Sequence, residues 1–162
     1  MENILRKIAS SKRSVKILKL ISLISAIVVA FSFIALLYMA YKNAKIEVLY
    51  VLVITGVPFV CVSIFRHIFN APRPYELYDF YPEKPREKEG KSFPSRHVFS
   101  GFVIGVVAFN YSLVFGILII ATSLILAASR ILLGIHFVRD CVCGALIGIA
   151  SALIGMWIFG LI

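Results

Sequence analysis

The stretch Val98–Leu133, VFSGFVIGVVAFNYSLVFGILIIATSLILAASRILL, carries one charged side chain, Arg130. It is too long for a single membrane crossing, which takes roughly 17–25 apolar residues. Its one polar break, Asn110-Tyr111-Ser112, is where a tight turn can reverse the chain. Two apolar helices back to back are therefore predicted, Val98–Asn110 and Ser112–Leu133, the first of them short. Outward from this pair lie three more apolar runs, Val15–Tyr41, Val48–Phe69 and Cys141–Ile162. The five together predict an all-α, polytopic transmembrane bundle of about five spans, forming one domain over residues 1–162. Composition agrees: 60% of residues are hydrophobic and 15% charged, where a soluble domain carries roughly a quarter charged.

The net charge of +9 has a membrane explanation. Residues 1–14 and the start of the first span hold Arg6, Lys7, Lys12, Arg13, Lys16 and Lys19 among Ile4, Leu5 and Ile8, a pattern suited to an amphipathic segment on anionic headgroups. A solvated topogenic tail would look the same, and neither reading needs a nucleic-acid partner. The first apolar run exceeds the roughly 7–15 residues of a signal-peptide core, so it reads as a retained anchor. Cys61, Cys141 and Cys143 lie in or at the ends of apolar runs. An odd count without paired spacing argues against a disulfide framework or zinc site and leaves packing as their role. Segment 70–93 is the longest polar stretch. Its Pro72, Pro74, Pro82 and Pro85 oppose a helix, and its tyrosines favour headgroup level, which predicts an interfacial loop. Its later part, Glu83–Lys91, alternates in charge and reads as a solvated stretch without chemistry.

The other ionisable residues gather at span ends. Arg66 closes the second span, Arg73 follows it, Arg96 and His97 open the third, Arg130 closes the fourth, and His136 and Asp140 precede the fifth. Alternating spans bring all four ends to one membrane face, and charges converging there are candidates for function. Permanently charged, forked guanidinium groups suit a phosphate. His136 and Asp140 are four residues apart, so on a helical turn the carboxylate can hold one ring nitrogen and leave the other free to attack. His97, at the first turn of a helix, can act as an acid beside backbone N–H groups that favour an anion. His67 matches no such spacing and reads as an interfacial side chain.

Three segments resemble the motifs of the type 2 phosphatidic acid phosphatase family, whose phosphate site is shared with vanadium haloperoxidases. K-x6-R-P is matched by Arg66 through Arg73-Pro74, P-S-G-H by Pro94-Ser95-Arg96-His97, and S-R-x5-H-x3-D in full by Ser129-Arg130, His136 and Asp140. The resemblance implies a haloperoxidase-like helical core and a metal-free, cofactor-free phosphatase. It also implies His136 as nucleophile forming a phosphohistidine, Asp140 as its partner and His97 as acid and then base. Arg66, Arg73, Arg130 and the Ser95 hydroxyl would bind the phosphate. Two positions depart from the family: Arg66 stands for a lysine, and Arg96 for a glycine, where it either crowds the phosphate or adds a contact to a second charged group.

Members of that family commonly have six spans and an outward-facing site. Five spans invert this, and the positive-inside rule favours the cytoplasm for the basic N-terminus and the site; an amphipathic N-terminus standing in for the lost helix would instead keep the outward-facing site of the family. The location implies a phosphorylated lipid or prenyl phosphate as substrate, with membrane lipids around the chain, and does not choose among phosphatidic acid, phosphatidylglycerol phosphate, prenyl phosphates and lipid-linked sugar phosphates. Three alternatives share the residues: a haloperoxidase, which would have to be soluble or peripheral; a non-enzymatic headgroup binder or transporter, which has no use for two histidines and a carboxylate; and a phosphotransferase, which differs only in its acceptor.

Overall fold

The structure is a computed structural model that describes residue 6, residues 10–78 and residues 89–162. Most of the predicted basic N-terminal segment and the charged part of the interfacial loop lie outside the described residues. The elements are α1 (Lys12–Asn43), α2 (Lys45–Phe69), the single-turn α3 (Pro74–Leu77), α4 (Arg96–Ala108), α5 (Leu113–Leu132) and α6 (Val138–Ile158). The four long helices α1, α2, α5 and α6 are each apolar and long enough to cross a membrane. α1 begins earlier than its apolar run, at Lys12 under the Ser11 cap. The helix therefore already includes Lys12 and Arg13.

Only 22–39% of the most apolar part of each long helix is buried in the bundle. The remainder, including Phe31, Ile34, Ile68, Leu113 and Trp157, stays exposed. That much contiguous apolar surface is incompatible with water and suits lipid. The chain is a multi-pass membrane protein.

α4 is the exception. At 13 residues it is about 20 Å long, less than the roughly 30 Å hydrocarbon core, yet nine of those residues are buried. It packs against all four long helices, so protein replaces lipid around it. Close approach to α6 is licensed by two glycines one turn apart. A Cβ on Gly144 would lie 2.7 Å from the Ser95 carbonyl, and one on Gly148 2.7 Å from that of Phe99. The Ser95 N–H then donates to the Asp140 carbonyl at 2.9 Å, which joins the start of α4 to the start of α6.

Candidate active site

The S-R-x5-H spacing acquires a structural reason in the turn between α5 and α6. Gly134 takes φ +69°, a left-handed conformation that glycine adopts at no steric cost. The chain reverses there, so that the N–H groups of Ile135 and His136 both return to the Arg130 carbonyl, at 3.0 and 3.4 Å. The Gly134 carbonyl accepts from the Tyr75 N–H at 3.1 Å, which fixes α3, and Arg73 before it, against the same turn.

Arg66, Arg73, Ser95, Arg130, His136 and Asp140 are all buried at this end of the bundle. The Arg66 guanidinium donates to the carbonyls of Ser92 (3.1 Å), Pro94 and Lys91. The planar guanidinium spreads these bonds over two nitrogens, a reach that a lysine's single ammonium lacks, so Arg66 orders the strip of chain that leads into α4. Arg73 Nε donates to the Gly90 carbonyl at 2.9 Å, and its guanidinium lies 5.8 Å from the Tyr75 ring centre. Ser95 Oγ is buried, with only the Cys141 thiol beside it as a weak partner among the described residues. His67 is exposed, as expected of an interfacial side chain, and the three cysteines are free.

The His136–Asp140 pair departs from expectation in one respect. His136 is not on a helix; it lies in the turn before α6, whose N-cap is Phe137. Asp140 Oδ2 caps that helix by accepting the Phe137 N–H at 3.0 Å, and it stays 3.7 Å from His136 Nδ1, beyond direct hydrogen-bond range. Ser92 closes the gap. Its Oγ donates to Asp140 Oδ2 at 2.5 Å and lies 3.4 Å from His136 Nδ1. Because its one proton is committed to the carboxylate, Oγ can only accept from Nδ1–H. Nε2 is then left without a proton, as a nucleophile requires. Ser92 is fully buried, and the sequence motifs do not single it out. Its sole sequence signal is that it stands three residues before Ser95.

The electrostatics favour the same state. Burial is the largest influence on His136 and pushes its pKa below the usual imidazole value; the Asp140 carboxylate opposes this, and the charges of Arg66, Arg73 and Arg130 add to the depression. A buried, neutral imidazole among three fixed cations is a poor home for another cation and a good one for a phosphate dianion.

Arg96 and His97, at the start of α4, are exposed. Desolvation, and then the charges of Arg130, His136, Arg96 and Arg66, push the His97 pKa down to about 3, so that it holds a proton near neutral pH only when a bound phosphate offsets those charges. Arg96 turns aside: its guanidinium lies 5.8 Å from the Phe59 ring centre on α2. It does not crowd the buried cage.

A family model described as PAP2 superfamily matches residues 47–161, which covers α4, α5, α6, nearly all of α2 and every residue of the site. The chain belongs to the PAP2 superfamily. Two solved PAP2-like folds resemble it over nearly its whole length. Aquifex aeolicus LpxE superposes with a TM-score of 0.70 at 23% identity, covering 96% of this chain and 93% of that one. A transmembrane PAP2-type phosphatidylglycerolphosphate phosphatase from Bacillus subtilis gives 0.68 at 16% identity, covering 98% and 84%. No curated protein sequence matches the chain.

Proposed function

We propose that this PAP2 protein is a membrane lipid phosphatase that hydrolyses a phosphomonoester or diphosphate headgroup through a phosphohistidine. The observation that carries this reading is the buried His136, whose Nδ1 side is tied through Ser92 to Asp140 while Arg66, Arg73 and Arg130 surround it. His136 Nε2 attacks phosphorus, the bond to the lipid oxygen breaks, and His97 gives that oxygen its proton. His97 then takes a proton from water, whose oxygen displaces the imidazole and releases inorganic phosphate. Fixed guanidinium charges and the Ser95 hydroxyl supply the stabilisation that phosphoryl transfer needs, so no metal enters the scheme.

Alternation of the helices puts Lys12, Arg13, Lys16 and Lys19 on the same side as the site. A cytoplasmic site follows from the positive-inside rule. The test is SDS- or alkali-quenched, base-stable and acid-labile labelling from a 32P-headgroup lipid. Wild type and His97→Ala should retain label, whereas His136→Ala should neither be labelled nor release phosphate. Turnover by His136→Ala above a small fraction of wild type refutes the nucleophile assignment. Headgroup binding without release by the wild type would instead support a binder or transporter.

A further inference from the structure

Beside the buried cage runs a cleft of about 420 Å³ between α1, α2, α4 and α5. Phe33, Phe59, Ile104 and Leu126 give it an apolar wall, and Arg96 and His97 line it as well. A second cavity of about 250 Å³ shares Phe33, Phe59, Ser100 and Ile104 with it and continues to Gly56 and Val103. The two form one channel alongside α4. From His97 to Ile104 it follows two turns of helix, about 10 Å.

The phosphohistidine scheme gives this channel a direction. In an in-line displacement the leaving group departs on the side of phosphorus opposite the nucleophile. The group assigned to protonate the leaving oxygen, His97, lines the channel, so the hydrocarbon of the departing lipid enters there. Arg96 is the preceding residue. Its guanidinium lies 5.8 Å from the Phe59 ring centre, and a guanidinium held near an aromatic face keeps its N–H donors available to an anion. The scissile phosphate already has Arg66, Arg73 and Arg130. A fourth arginine in this wall, beside His97 and above an apolar surface, is placed to meet a charge on the leaving group.

Building on the phosphatase reading, we propose that Arg96 recognises a second anionic group on the leaving-group side of the scissile phosphate. The substrate is then a lipid whose departing portion keeps a negative charge, with its hydrocarbon in the channel. Two sources share that chemistry: the inner phosphate of a prenyl diphosphate, and the phosphodiester of phosphatidylglycerol phosphate. Phosphatidic acid, which leaves as neutral diacylglycerol, lacks it.

The experiment measures kcat/KM for phosphate release from these three lipids by the purified full chain in detergent micelles. Wild type should favour one charged-leaving-group lipid over phosphatidic acid, and the favoured lipid identifies the source. Arg96→Gln should lower that preference about tenfold, equivalent to about 1.4 kcal/mol, and Arg96→Lys should restore part of it. A wild-type preference for phosphatidic acid, or equal losses on all three lipids in Arg96→Gln, overturns the proposal. Release from none of the three, nor from a prenyl monophosphate or a lipid-linked sugar phosphate, overturns the phosphatase reading itself. The channel has its own variant. A Cβ on Gly56 meets nothing within 4 Å, so Gly56→Leu fills the space without displacing backbone. It should shift preference toward shorter hydrocarbon chains, and an unchanged chain-length profile refutes the channel as the place where the chain lies.

Discussion

Replacing Ser92 by alanine tests the catalytic geometry most directly, because the hydroxyl stands between two groups 3.7 Å apart that do not otherwise meet. The fold should survive. The Ser92 N–H bond to the Ala71 carbonyl and the Arg66 bond to the Ser92 carbonyl belong to the backbone of residue 92, and Asp140 keeps the Phe137 N–H at 3.0 Å. What is lost is a charge-assisted hydrogen bond and the acceptor for His136 Nδ1–H. A hydrogen bond to a charged group contributes about 1.5–3 kcal/mol. Felt wholly in the transition state, that is roughly a 10- to 150-fold loss in kcat/KM. Closure of the His136–Asp140 gap by about 1 Å would restore a direct hydrogen bond, so the lower half of that range is expected. The assay is steady-state phosphate release by wild type, Ser92→Ala, Asp140→Asn and the double variant, with thermal unfolding measured alongside. If Ser92 acts through Asp140 and His136, the double variant should be little worse than Asp140→Asn alone, because residues working as one unit are not additive. Losses that multiply, or a Ser92→Ala enzyme within about twofold of wild type, would refute the relay.

Three further outcomes are expected. Activity should survive EDTA, while vanadate, which can mimic pentacovalent phosphorus among the arginines, should inhibit; loss in EDTA restored by magnesium would require a metal. His97→Ala should slow lipid substrates about 10²- to 10⁴-fold, yet give a burst of roughly one equivalent of phenol from an aryl phosphate, whose leaving group needs less protonation; rapid quench without a burst, and equal losses on both substrates, would remove His97 from proton transfer. Because the folded state lowers the His136 and His97 pKa values, the unfolded chain binds the extra protons below about pH 6.5, so folding stability should fall as pH drops through that region and be unaffected above it; His136→Gln should remove its share of this slope and leave that of His97, and an unchanged slope would contradict the lowered value.

The helices are legible in the sequence because lipid makes a simple demand. Apolar runs must be long, and charges must collect at their ends, so the spans inferred from Val15, Val48, Val98, Ser112 and Cys141 onward fall within a few residues of α1, α2, α4, α5 and α6. Alternation then brings Arg66, His97, Arg130, His136 and Asp140 to one end without any knowledge of packing. Two features are beyond the reach of spacing. The four-residue interval from His136 to Asp140 suggests a shared helical turn, but the helix begins between them and leaves the pair too far apart to bond directly. Ser92 lies in a polar loop with no periodicity, and only the fold brings a residue 44 positions upstream of His136 against its ring. Arg96 is ambiguous for a related reason: sequence locates it beside the phosphate motif, but the direction of its side chain depends on where Phe59 of another helix lies.

The shortness of α4 connects these observations. α4 and α5 leave the same turn, at Asn110–Ser112, and run back toward the site end. With 13 and 20 residues they extend about 20 and 30 Å, so the start of α4 falls roughly 10 Å short of the end of α5. A longer central helix would fill that space with its own first turns. Instead the space receives the strip of chain held by Arg66, which brings Ser92 and Ser95 inward to Asp140, and the exposed His97 lines the cleft beside it. Two requirements that conflict at a membrane surface are thereby met together. On the proposed reading, the phosphate would enter a buried, cationic, hydrogen-bonded cage, while the hydrocarbon attached to it would stay in an apolar environment as the scissile bond comes between His136 and His97.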